Sequence, residues 1–389
     1  MPDIPFPARK NGISIRYFPI IVHASKQFDI HLLIISDHPV DEASLALAHE
    51  WCATVSVYSR KSKQVSIAKK LFFRAKSLLP IGLPFPYLRY DEREINQFFA
   101  KATAHQTYDL ALCILPQYLN LVRKYVTCKR LTMDLIDSIY LSVFRKPKST
   151  LLEIYDAFLI KNWERKCLGK VDYACYISPL DRKLGAGENF NPAKVGVIPN
   201  GIFLQDQVDE KINYGAPTIG YIGHMNYPPN IKAALRLAAI YNSLKKELSP
   251  LKLIIIGRDP APEIKNLADG DGIVVTGTVD NIWPYIKGVD IFVFPMEIGS
   301  GQQNKLLEAM AAGKPVISTT VGNSGVGAAH KKELIEANSD DEIAKAITLL
   351  VKDKQQQCNM GNAGKQFIYD NYFWENIYKS LDETLLATK

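Results

Sequence analysis

The chain has 389 residues, 47% of them hydrophobic and 22% charged, with a formal net charge of +7. This length predicts two domains with a packed core each, and no apolar run approaches the ~20 residues of a membrane-spanning helix. Residues 1–12 lack the apolar stretch of a secretory signal, so a secreted protein is not expected. The six cysteines are scattered without metal or disulfide spacing, which predicts reduced thiols and a cytoplasmic location.

Four short apolar segments in the first half have the length and composition of buried strands, and helical stretches fit between several of them. They are residues 28–36, 53–58, 108–115 and 171–177. Strands that alternate with helices form parallel sheets, so this half is predicted to be a Rossmann-like α/β domain. A proline-bearing loop and Gly12 precede the first of these strands.

A basic segment, residues 60–79, follows the second predicted strand, and no acidic residue occurs from Trp51 to Tyr90. Residues 1–200 carry 28 Lys and Arg against 18 Asp and Glu, a net +10, whereas the remainder carries a net −3. Cations interleaved with apolar residues suit an anionic membrane surface, so peripheral attachment at the inner face of the membrane is one hypothesis. A solvated helix face is the alternative. No zinc spacing or helix-turn-helix signature supports a nucleic-acid partner.

A second series of strands and helices begins near Thr218 and continues through the segments LKLIIIG, GIVVTG, DIFVFP and PVIST. The segment VIPNG, residues 197–201, marks the crossing between domains because its proline and glycine interrupt regular structure. The predicted divisions are residues 1–198, 199–364 and 365–389.

The GSG turn, residues 299–301, lies between the strand DIFVFP and a predicted helix. Glycines let a backbone approach an anion closely, and the first amides and positive dipole end of the helix then point at it. The sequence therefore predicts a phosphate-binding corner. The helix behind it would bury one face and stop at Gly313; the buried face consists of Leu306, Leu307, Met310 and Ala311.

Polar residues of the same helix are predicted to contact a sugar nucleotide. Glu308 lies far enough along the helix to accept bonds from sugar hydroxyls, and Lys305 is placed to neutralise a diphosphate. The amides of Gln302, Gln303 and Asn304 would be neutral donors nearby. The alternative interpretation is an ordinary helix cap followed by a solvated Lys–Glu pair.

These motifs resemble the donor-site signature of glycosyltransferase family 4, retaining enzymes of the GT-B fold. The pattern GSGQQNKLLEAMAAGKPVIST is typical of the branch that reads GSG followed by KxLEAMAxGxP. Further matches follow in the expected order over about half of the chain. They are VIPNGIF at 197–203, GYIGHMNYPPNIKAA at 220–234, LKLIIIGRD at 251–259, VTGTVDNIWPYIKGVDIFVFP at 275–295 and NYFWE at 371–375.

The resemblance implies two Rossmann-like domains that face each other across a cleft, with the acceptor on the first and the donor on the second. It implies that the C-terminal segment, residues 365–389, crosses back to the first domain. The donor-binding residues would be Gly223, His224, Val279, Gly299, Ser300, Gly301, Gln302, Gln303 and Glu308. Catalytic roles would fall to Glu308, Lys305, Arg258 and Asp137, and acceptor contacts to Gly12 and Arg16.

Two departures from the family pattern affect the donor site. Ser300 stands where most members have a second glutamate, and His224 stands in a loop that commonly carries Arg and Lys. Both indicate a variant site, in which Glu297 would restore a carboxylate and Arg258 or Lys305 the positive charge.

The resemblance also leaves a first strand unaccounted for, because no apolar segment precedes the loop with Gly12. Without that strand two neighbouring edges are exposed, so the sequence predicts either a rearranged sheet or a chain that starts downstream of its native initiation site. On the acceptor side, Asp134 and Asp137 follow a predicted strand, and either of them or His23 is a candidate to orient or deprotonate the acceptor hydroxyl. A helix cap or turn is the alternative for each carboxylate.

No metal or cofactor is expected, since Asp269 and Asp271 fit a glycine-flanked turn better than a metal triplet. The predicted activity is transfer, with retention, of a hexose-type sugar from a UDP- or GDP-sugar to a glycan or lipid-linked acceptor, in cell-surface polysaccharide or glycolipid assembly. The alternatives are a catalytically silent nucleotide-binding scaffold and a nucleotide-sugar epimerase. An oxidoreductase lacks support because no GxGxxG follows an early strand.

Overall fold

A computed structural model describes residues 1–7, 12–60, 84, 87, 93–137, 150–187, 190–203, 210–270, 272–299 and 301–388. The chain divides into two compact units: the first unit is Met1–Asn200 with Ile377–Lys389, and the second unit is Gly201–Asn376. Both are α/β, and all strand pairings between the described strands are parallel. The prediction of two Rossmann-like domains is confirmed.

The first unit contains the strands β1 (His31–Ser36), β2 (Thr54–Ser59), β3 (Thr107–Ile114), β4 (Thr127–Asp134), β5 (Tyr173–Tyr176) and β6 (Val195–Val197). Its helices are α1 (Gly12–Ala24), α2 (Glu42–Trp51), α3 (Arg93–Ala102), α4 (Leu119–Tyr125), α5 (Leu151–Leu168) and α6 (Pro179–Ala186). Strands β1 and β2 form a pair, and β3, β4, β5 and β6 form a second sheet in that order.

Local sequence determines where the helices of the first unit begin. Thr150 and Glu153 form a capping box at the start of α5, so each side chain satisfies a backbone amide of the first turn. Ser178 caps α6 and accepts a bond from the Asp181 amide at 3.1 Å, with Pro179 at the first helical position. Helix α6 begins three residues after β5 ends, which is the βα pattern expected from the sequence.

The second unit contains the strands β7 (Thr218–Ile222), β8 (Lys252–Ile256), β9 (Ile273–Val275), β10 (Ile291–Phe294), β11 (Val316–Ser318) and β12 (Ile335–Glu336). Its helices are α7 (Pro228–Leu244), α8 (Pro262–Lys265), α9 (Trp283–Gly288), α10 (Asn304–Ala311), α11 (Thr320–Asn323), α12 (Asp340–Lys352) and α13 (Lys354–Tyr372). The sheet order is β12-β11-β10-β7-β8-β9, and every residue of β7 and β10 is buried. Continuous burial on both faces explains why these strands read as apolar runs.

The C-terminal segment packs on the first unit over a shorter stretch than predicted. Helix α14 (Trp374–Glu383) follows α13, and only residues from Ile377 onward belong to the first unit. There Asp382 lies 2.8 Å from Nε2 of His23, whose ring stacks on Tyr378 at 4.1 Å. Residues 365–376, predicted to be part of the returning segment, belong to the second unit instead.

In the described part of the first unit, the strands form two separate sheets with a gap between them. Residues 1–7 form no assigned strand, and among the described strands β1 pairs only with β2 and β3 only with β4. Met1 nevertheless bonds to the free side of β1, because its carbonyl accepts from the Ile35 amide at 2.9 Å. The gap therefore lies between β1 and β3.

Candidate functional site

The predicted donor residues gather where the order of the strands reverses in the second unit. Strands β7, β8 and β9 follow one another across the sheet, but β10 returns to the other side of β7. The loops that leave the carboxyl ends of β7 and β10 consequently diverge to opposite faces and open a crevice between them, which is where open α/β sheets bind ligands. The first loop carries Gly223 and His224, and the second carries the GSG turn.

The GSG turn has the backbone geometry that its glycines allow. Gly301 has φ 64°, a left-handed conformation that a residue with a Cβ adopts only under strain. Its carbonyl packs directly against Gly325, where a Cβ would clash. Gly299 and Gly301 lie in described parts of the loop, whereas Ser300 lies outside the described residues. The left-handed φ of Gly301 and its close contact with Gly325 thus define the turn ahead of α10.

Helix α10 presents the predicted faces. The four residues assigned to its buried face are at most 4% exposed: Leu306, Leu307, Met310 and Ala311. Glu308 is half-buried on another side, and Gln302 and Gln303 immediately precede the helix. The helix therefore aims its amino-terminal end at the crevice while its apolar face anchors it to the core.

Lys305 lies deeper than the sequence predicted. Its ammonium donates to Oδ1 of Asn230 at 2.7 Å and to the hydroxyl of Tyr221 at 3.0 Å, and it lies 5.0 Å from the centre of the Tyr221 ring. Burial lowers the pKa of Lys305 to about 7, partly offset by the charge of Glu308. The residue as a whole is partly exposed, so the enclosed part is its amine. Its hydrogen-bond partners are neutral oxygens, and the charge of Glu308 offsets only part of the effect of burial.

Asn230 and Tyr221 are site residues that sequence reasoning missed. Asn230 is 8% exposed; besides Lys305, it accepts from the Tyr221 hydroxyl at 3.0 Å and donates from Nδ2 to the His224 carbonyl at 3.1 Å. It therefore ties α10 to the loop after β7. Both residues lie within the segment GYIGHMNYPPNIKAA, so the motif was recognised but these two side chains were not.

The loop after β7 is also joined to the loop after β8. The Met225 amide donates to the Arg258 carbonyl at 3.0 Å, and a Cβ at Gly257 would clash with the Gly223 carbonyl. Exposed side chains meet at its rim: Nε2 of His224 lies 3.2 Å from Asp259, and Nε of Arg258 lies 3.9 Å from the same carboxylate. Two of the predicted donor contacts therefore share one acidic neighbour.

Other candidates of the second unit have different surroundings. Trp283 is 3% exposed, so it is a core residue rather than a platform for a base, and Val279 is half-buried near the start of that helix. Glu297 pairs with Lys232 at the surface. Asp269 accepts from the amides of Gly272 and Ile273 at 2.7 Å each, as a turn residue does, while Asp271 lies outside the described residues.

In the first unit, Arg16, a predicted acceptor contact, is buried. Its side chain is 1% exposed, and Nε donates to Oδ2 of Asp134 at 2.7 Å while Nη1 donates to Oδ1 of Asn200 at 3.1 Å. Tyr17 also donates to Asp134, at 2.8 Å. Burial alone would lower the pKa of Arg16, but the Asp134 carboxylate holds it above its ordinary value. Arg16 is thus a buried structural partner of Asp134. Its side chain points from α1 into the first unit and is not exposed to an acceptor.

The remaining acceptor-side candidates lie near that pair or outside the described residues. Asp134 ends β4 as predicted and is fully buried, whereas Asp137, three residues later, is half-buried. Gly12 is exposed at the start of α1, and a Cβ there would meet nothing within 4 Å. The basic segment is outside the described residues except for Arg60, which lies 3.2 Å from Asp37.

The described parts of the chain lack two features that would bear on function, a metal cluster and a membrane-spanning helix. No cluster of three or more His, Cys, Asp or Glu there is arranged to hold a metal ion. No helix among those residues combines the length and apolarity that crossing a membrane requires.

Comparison with known families agrees with this geometry. Residues 216–353 match the family model described as "Glycosyl transferases group 1". The matched range begins just before β7 and ends just after α12, so it contains both crevice loops, α10 and Asn230.

Two relatives extend the comparison. An uncharacterized 44.6 kDa protein in the cps region of Klebsiella pneumoniae is 23% identical over 97% of this chain and 97% of its own length. The lipopolysaccharide 1,2-N-acetylglucosaminetransferase of Salmonella typhimurium is 25% identical over 51% of this chain and 58% of its own length.

Solved structures show the fold. The crystal structure of Anabaena HepE in complex with UDP aligns with a TM-score of 0.65 at 14% identity, over 98% of this chain and 97% of that chain. The comparisons favour a transferase over the scaffold and the epimerase that the sequence left open. The chain therefore has the GT-B fold, and its second unit matches the glycosyl transferases group 1 model, which together support a glycosyltransferase.

Proposed function

We propose that the protein is a retaining glycosyltransferase that moves a hexose-type sugar from a UDP- or GDP-sugar to a glycan or lipid-linked acceptor. The observation that carries the proposal lies at the strand reversal beside β7. There Lys305 of α10 bonds to Asn230, which in turn bonds to the His224 carbonyl. The Salmonella relative, named as an N-acetylglucosaminetransferase, supports this reaction class. Retention, independence from metal and the choice of nucleotide rest on the resemblance to family 4.

The donor's diphosphate would lie against the GSG turn. Backbone amides of Gly301 and Gln302 and the positive end of α10 would face its oxygens, and charge from Lys305 and Arg258 would stabilise the leaving diphosphate. Because Lys305 bonds to neutral oxygens and the Glu308 charge offsets burial only in part, an anion entering the crevice would stabilise the charged amine. The remaining proposed phosphate contacts are Gly299, Gln303, Ser300 and His224. Val279 would contact the base.

Glu308 would hold the sugar. Its carboxylate lies beyond the amino-terminal turn of α10, so it can accept bonds from sugar hydroxyls while the diphosphate occupies the turn. In the reaction, the bond between the anomeric carbon and the diphosphate oxygen breaks, and a bond to the acceptor oxygen forms. Asp137 is the candidate to take the acceptor's proton, since Asp134 is buried against Arg16.

The acceptor side of the proposal rests on fewer observations. Gly12 is a candidate acceptor contact because it is exposed at the start of α1. Arg16 is a weaker candidate because its side chain is buried. Attachment of residues 60–79 to an anionic membrane stays a prediction from their charge. Flotation with anionic vesicles at moderate salt tests it, and a protein that stays entirely in solution contradicts it.

The test of function is donor turnover with a panel of UDP- and GDP-sugars, with and without EDTA, using release of the nucleoside diphosphate as the readout. We expect one donor to be hydrolysed slowly without metal, and NMR of the sugar to show the donor's anomeric configuration first. Inversion would contradict the retaining mechanism, and EDTA-sensitive release would contradict metal independence.

A matched pair of variants links that turnover to the site. Glu308→Gln keeps the size of the side chain and should reduce turnover about 100-fold or more while nucleotide binding persists, because the carboxylate contacts the sugar rather than the diphosphate. Glu247→Gln, at the exposed surface pair with Lys352, is the control and should keep turnover within about threefold. Equal activity of both variants would remove Glu308 from the proposed site.

A further inference from the structure

A short loop of the second unit, residues 324–328, packs against the GSG turn, and we call it the support loop. Gly325 of this loop is buried. A Cβ at Gly325 would clash with the Gly301 carbonyl oxygen and would lie 3.0 Å from Cα of Gln302. Any side chain at this position would therefore displace the peptide that joins Gly301 to Gln302.

The contact with Gly325 determines where the next amide points. A trans peptide is planar, and its carbonyl oxygen and amide hydrogen lie on opposite sides of the C–N bond. Because the Gly301 oxygen lies against Gly325, the Gln302 N–H points away from the support loop. Gln302 lies two residues before α10, so its amide belongs to the group that the donor's diphosphate would meet.

Asn323 holds the support loop closed. It is 5% exposed; its Oδ1 accepts from the Ala328 amide at 3.0 Å, and its Nδ2 donates to the Ala328 carbonyl at 2.8 Å. The Asn323 carbonyl also accepts from the amides of Val326 and Gly327 at 2.8 Å each. Because these bonds span the loop on both sides of Gly325, they restrict its position against the turn.

Two further bonds connect this region to the body of the second unit. The Tyr372 hydroxyl of α13 donates to the Val326 carbonyl at 2.6 Å, and burial raises the pKa of Tyr372 to about 12, so the hydroxyl keeps its proton. Ahead of the loop, the Thr319 hydroxyl donates to the Met296 carbonyl at 2.6 Å. Met296 lies between β10 and the GSG turn, so both segments are anchored at the same strand end.

The two glycines in the middle of the support loop have different surroundings. Gly327 has φ 73°, is exposed, and would place a Cβ in open space. Gly325 lacks that left-handed conformation, so its backbone would accept a side chain. The feature that requires glycine at 325 is consequently the contact with the GSG turn.

We propose that Gly325, held in place by Asn323 and Tyr372, is a positioning residue of the donor site that aims the Gln302 amide at the donor's diphosphate. The inference rests on the proposed function, which places the diphosphate at the GSG turn. Gly325 acts through the peptide between Gly301 and Gln302 and does not touch the ligand. Its effect on phosphate binding is therefore separable from its effect on folding.

The test compares Gly325→Ala with Gly327→Ala in the full chain by isothermal titration with UDP and GDP. Gly325→Ala should raise the Kd of the nucleotide that binds the wild type about tenfold or more, because the added methyl displaces the Gly301 carbonyl and misdirects a bond to a charged group. Gly327→Ala adds the same methyl group at the strained position, so it should lower the melting temperature and keep the Kd within about twofold. Equal affinity of the two variants would overturn the role of Gly325.

A second readout separates phosphate binding from general damage to the site. Uridine or guanosine lacks the phosphates, so its Kd for Gly325→Ala should stay within about twofold of wild type, measured by ligand-observed NMR. An equal loss of affinity for nucleoside and nucleoside diphosphate would overturn the inference, because the whole site would then be disturbed.

Tyr372→Phe provides the test if Gly325→Ala does not fold. It removes only the hydroxyl that holds Val326, and it should raise the Kd of the nucleoside diphosphate about threefold. An unchanged Kd would overturn the inference in that case. A wild-type protein that binds neither UDP nor GDP would overturn the proposed function itself, and the inference with it.

Discussion

Each unit of the molecule encloses a cation, and the two cations are held in opposite ways. In the first unit, Arg16 lies 2.7 Å from the Asp134 carboxylate, and this partner raises its pKa. In the second unit, Lys305 bonds only to neutral oxygens of Asn230 and Tyr221 among the partners described, and burial lowers its pKa to about 7. From the sequence, both Arg16 and Lys305 were predicted to be basic residues beside a ligand-binding site.

The difference separates a structural cation from a functional one. A buried ion pair with its own counter-charge is complete without a ligand, and it needs that counter-charge to remain folded. A charged lysine that is buried among neutral partners lowers the stability of the folded protein. Binding of an anion beside it restores that stability. Arg16 therefore serves the fold of the first unit, and Lys305 is the residue that we expect to respond to a diphosphate.

The largest expected effect is on the Arg16 side of the comparison. Asp134→Ala leaves the guanidinium buried without its counter-charge, so the free energy of unfolding should fall by about 3–5 kcal/mol. Urea denaturation measures the change. Asp137→Ala is the control, because Asp137 is half-buried and should cost less than about 1 kcal/mol. A loss below 1 kcal/mol for Asp134→Ala would show that the pair does not stabilise the first unit.

The pH dependence of stability should come from Lys305. Between pH 7 and its ordinary pKa of 10.5, the unfolded state holds a proton that the folded state has lost, so stability rises with pH. The contribution is about 1 kcal/mol per pH unit in that window, and the cost of the charged form is greatest below pH 7. Comparison of wild type with Lys305→Met cancels the other titrating groups. Parallel pH profiles of the two proteins would mean that the amine is not held as described.

The second comparison of Lys305 with Arg16 is made by nucleotide affinity, and its expected effect is smaller. Lys305→Met removes the charge that the diphosphate would meet, so the Kd for UDP or GDP should rise about tenfold, while the melting temperature stays level or increases. Isothermal titration and thermal unfolding provide the two readouts. An unchanged Kd together with a lower melting temperature would assign Lys305 to the fold, as for Arg16.

The smallest effect is expected at the rim of the crevice. His224 is exposed and lies 3.2 Å from the exposed Asp259, so His224→Ala should change nucleotide affinity by less than about fivefold. Titration at two ionic strengths measures this, since salt screens exposed charges. A loss larger than that of Lys305→Met would move the main phosphate contact from α10 to the His224 loop.

The second unit could be predicted from sequence further than the first. The GSG turn follows from its glycine positions, and α10 and its buried face follow from helical spacing. The structure contains all three. The direction of the Lys305 side chain could not be predicted, because it depends on Asn230, which lies 75 residues away in sequence. The sequence gives a residue's position on a helix, but a long flexible side chain takes its partner from tertiary packing.

In the first unit, the same limitation concealed the contact that Arg16 makes. Its position after the glycine loop suggested an exposed residue, but its partner Asp134 is 118 residues away at the end of β4. Asp134 was predicted at a strand end and is there, so each residue was placed correctly and only their contact was missed. The units divide after Asn376, whereas the sequence predicted a division after residue 364; near that point α13 and α14 are separated by a one-residue break.

The central claim is that a nucleoside diphosphate binds in the crevice of the second unit and supplies the counter-charge of Lys305. The most direct measurement is proton uptake on binding of UDP and GDP at pH 8, from isothermal titrations in buffers of different ionisation enthalpy. At that pH an amine with a pKa of about 7 is mostly neutral, so binding should take up close to one proton in wild type and none in Lys305→Met. Binding without proton uptake would contradict the role of Lys305, and no binding of either nucleotide would contradict the donor site itself.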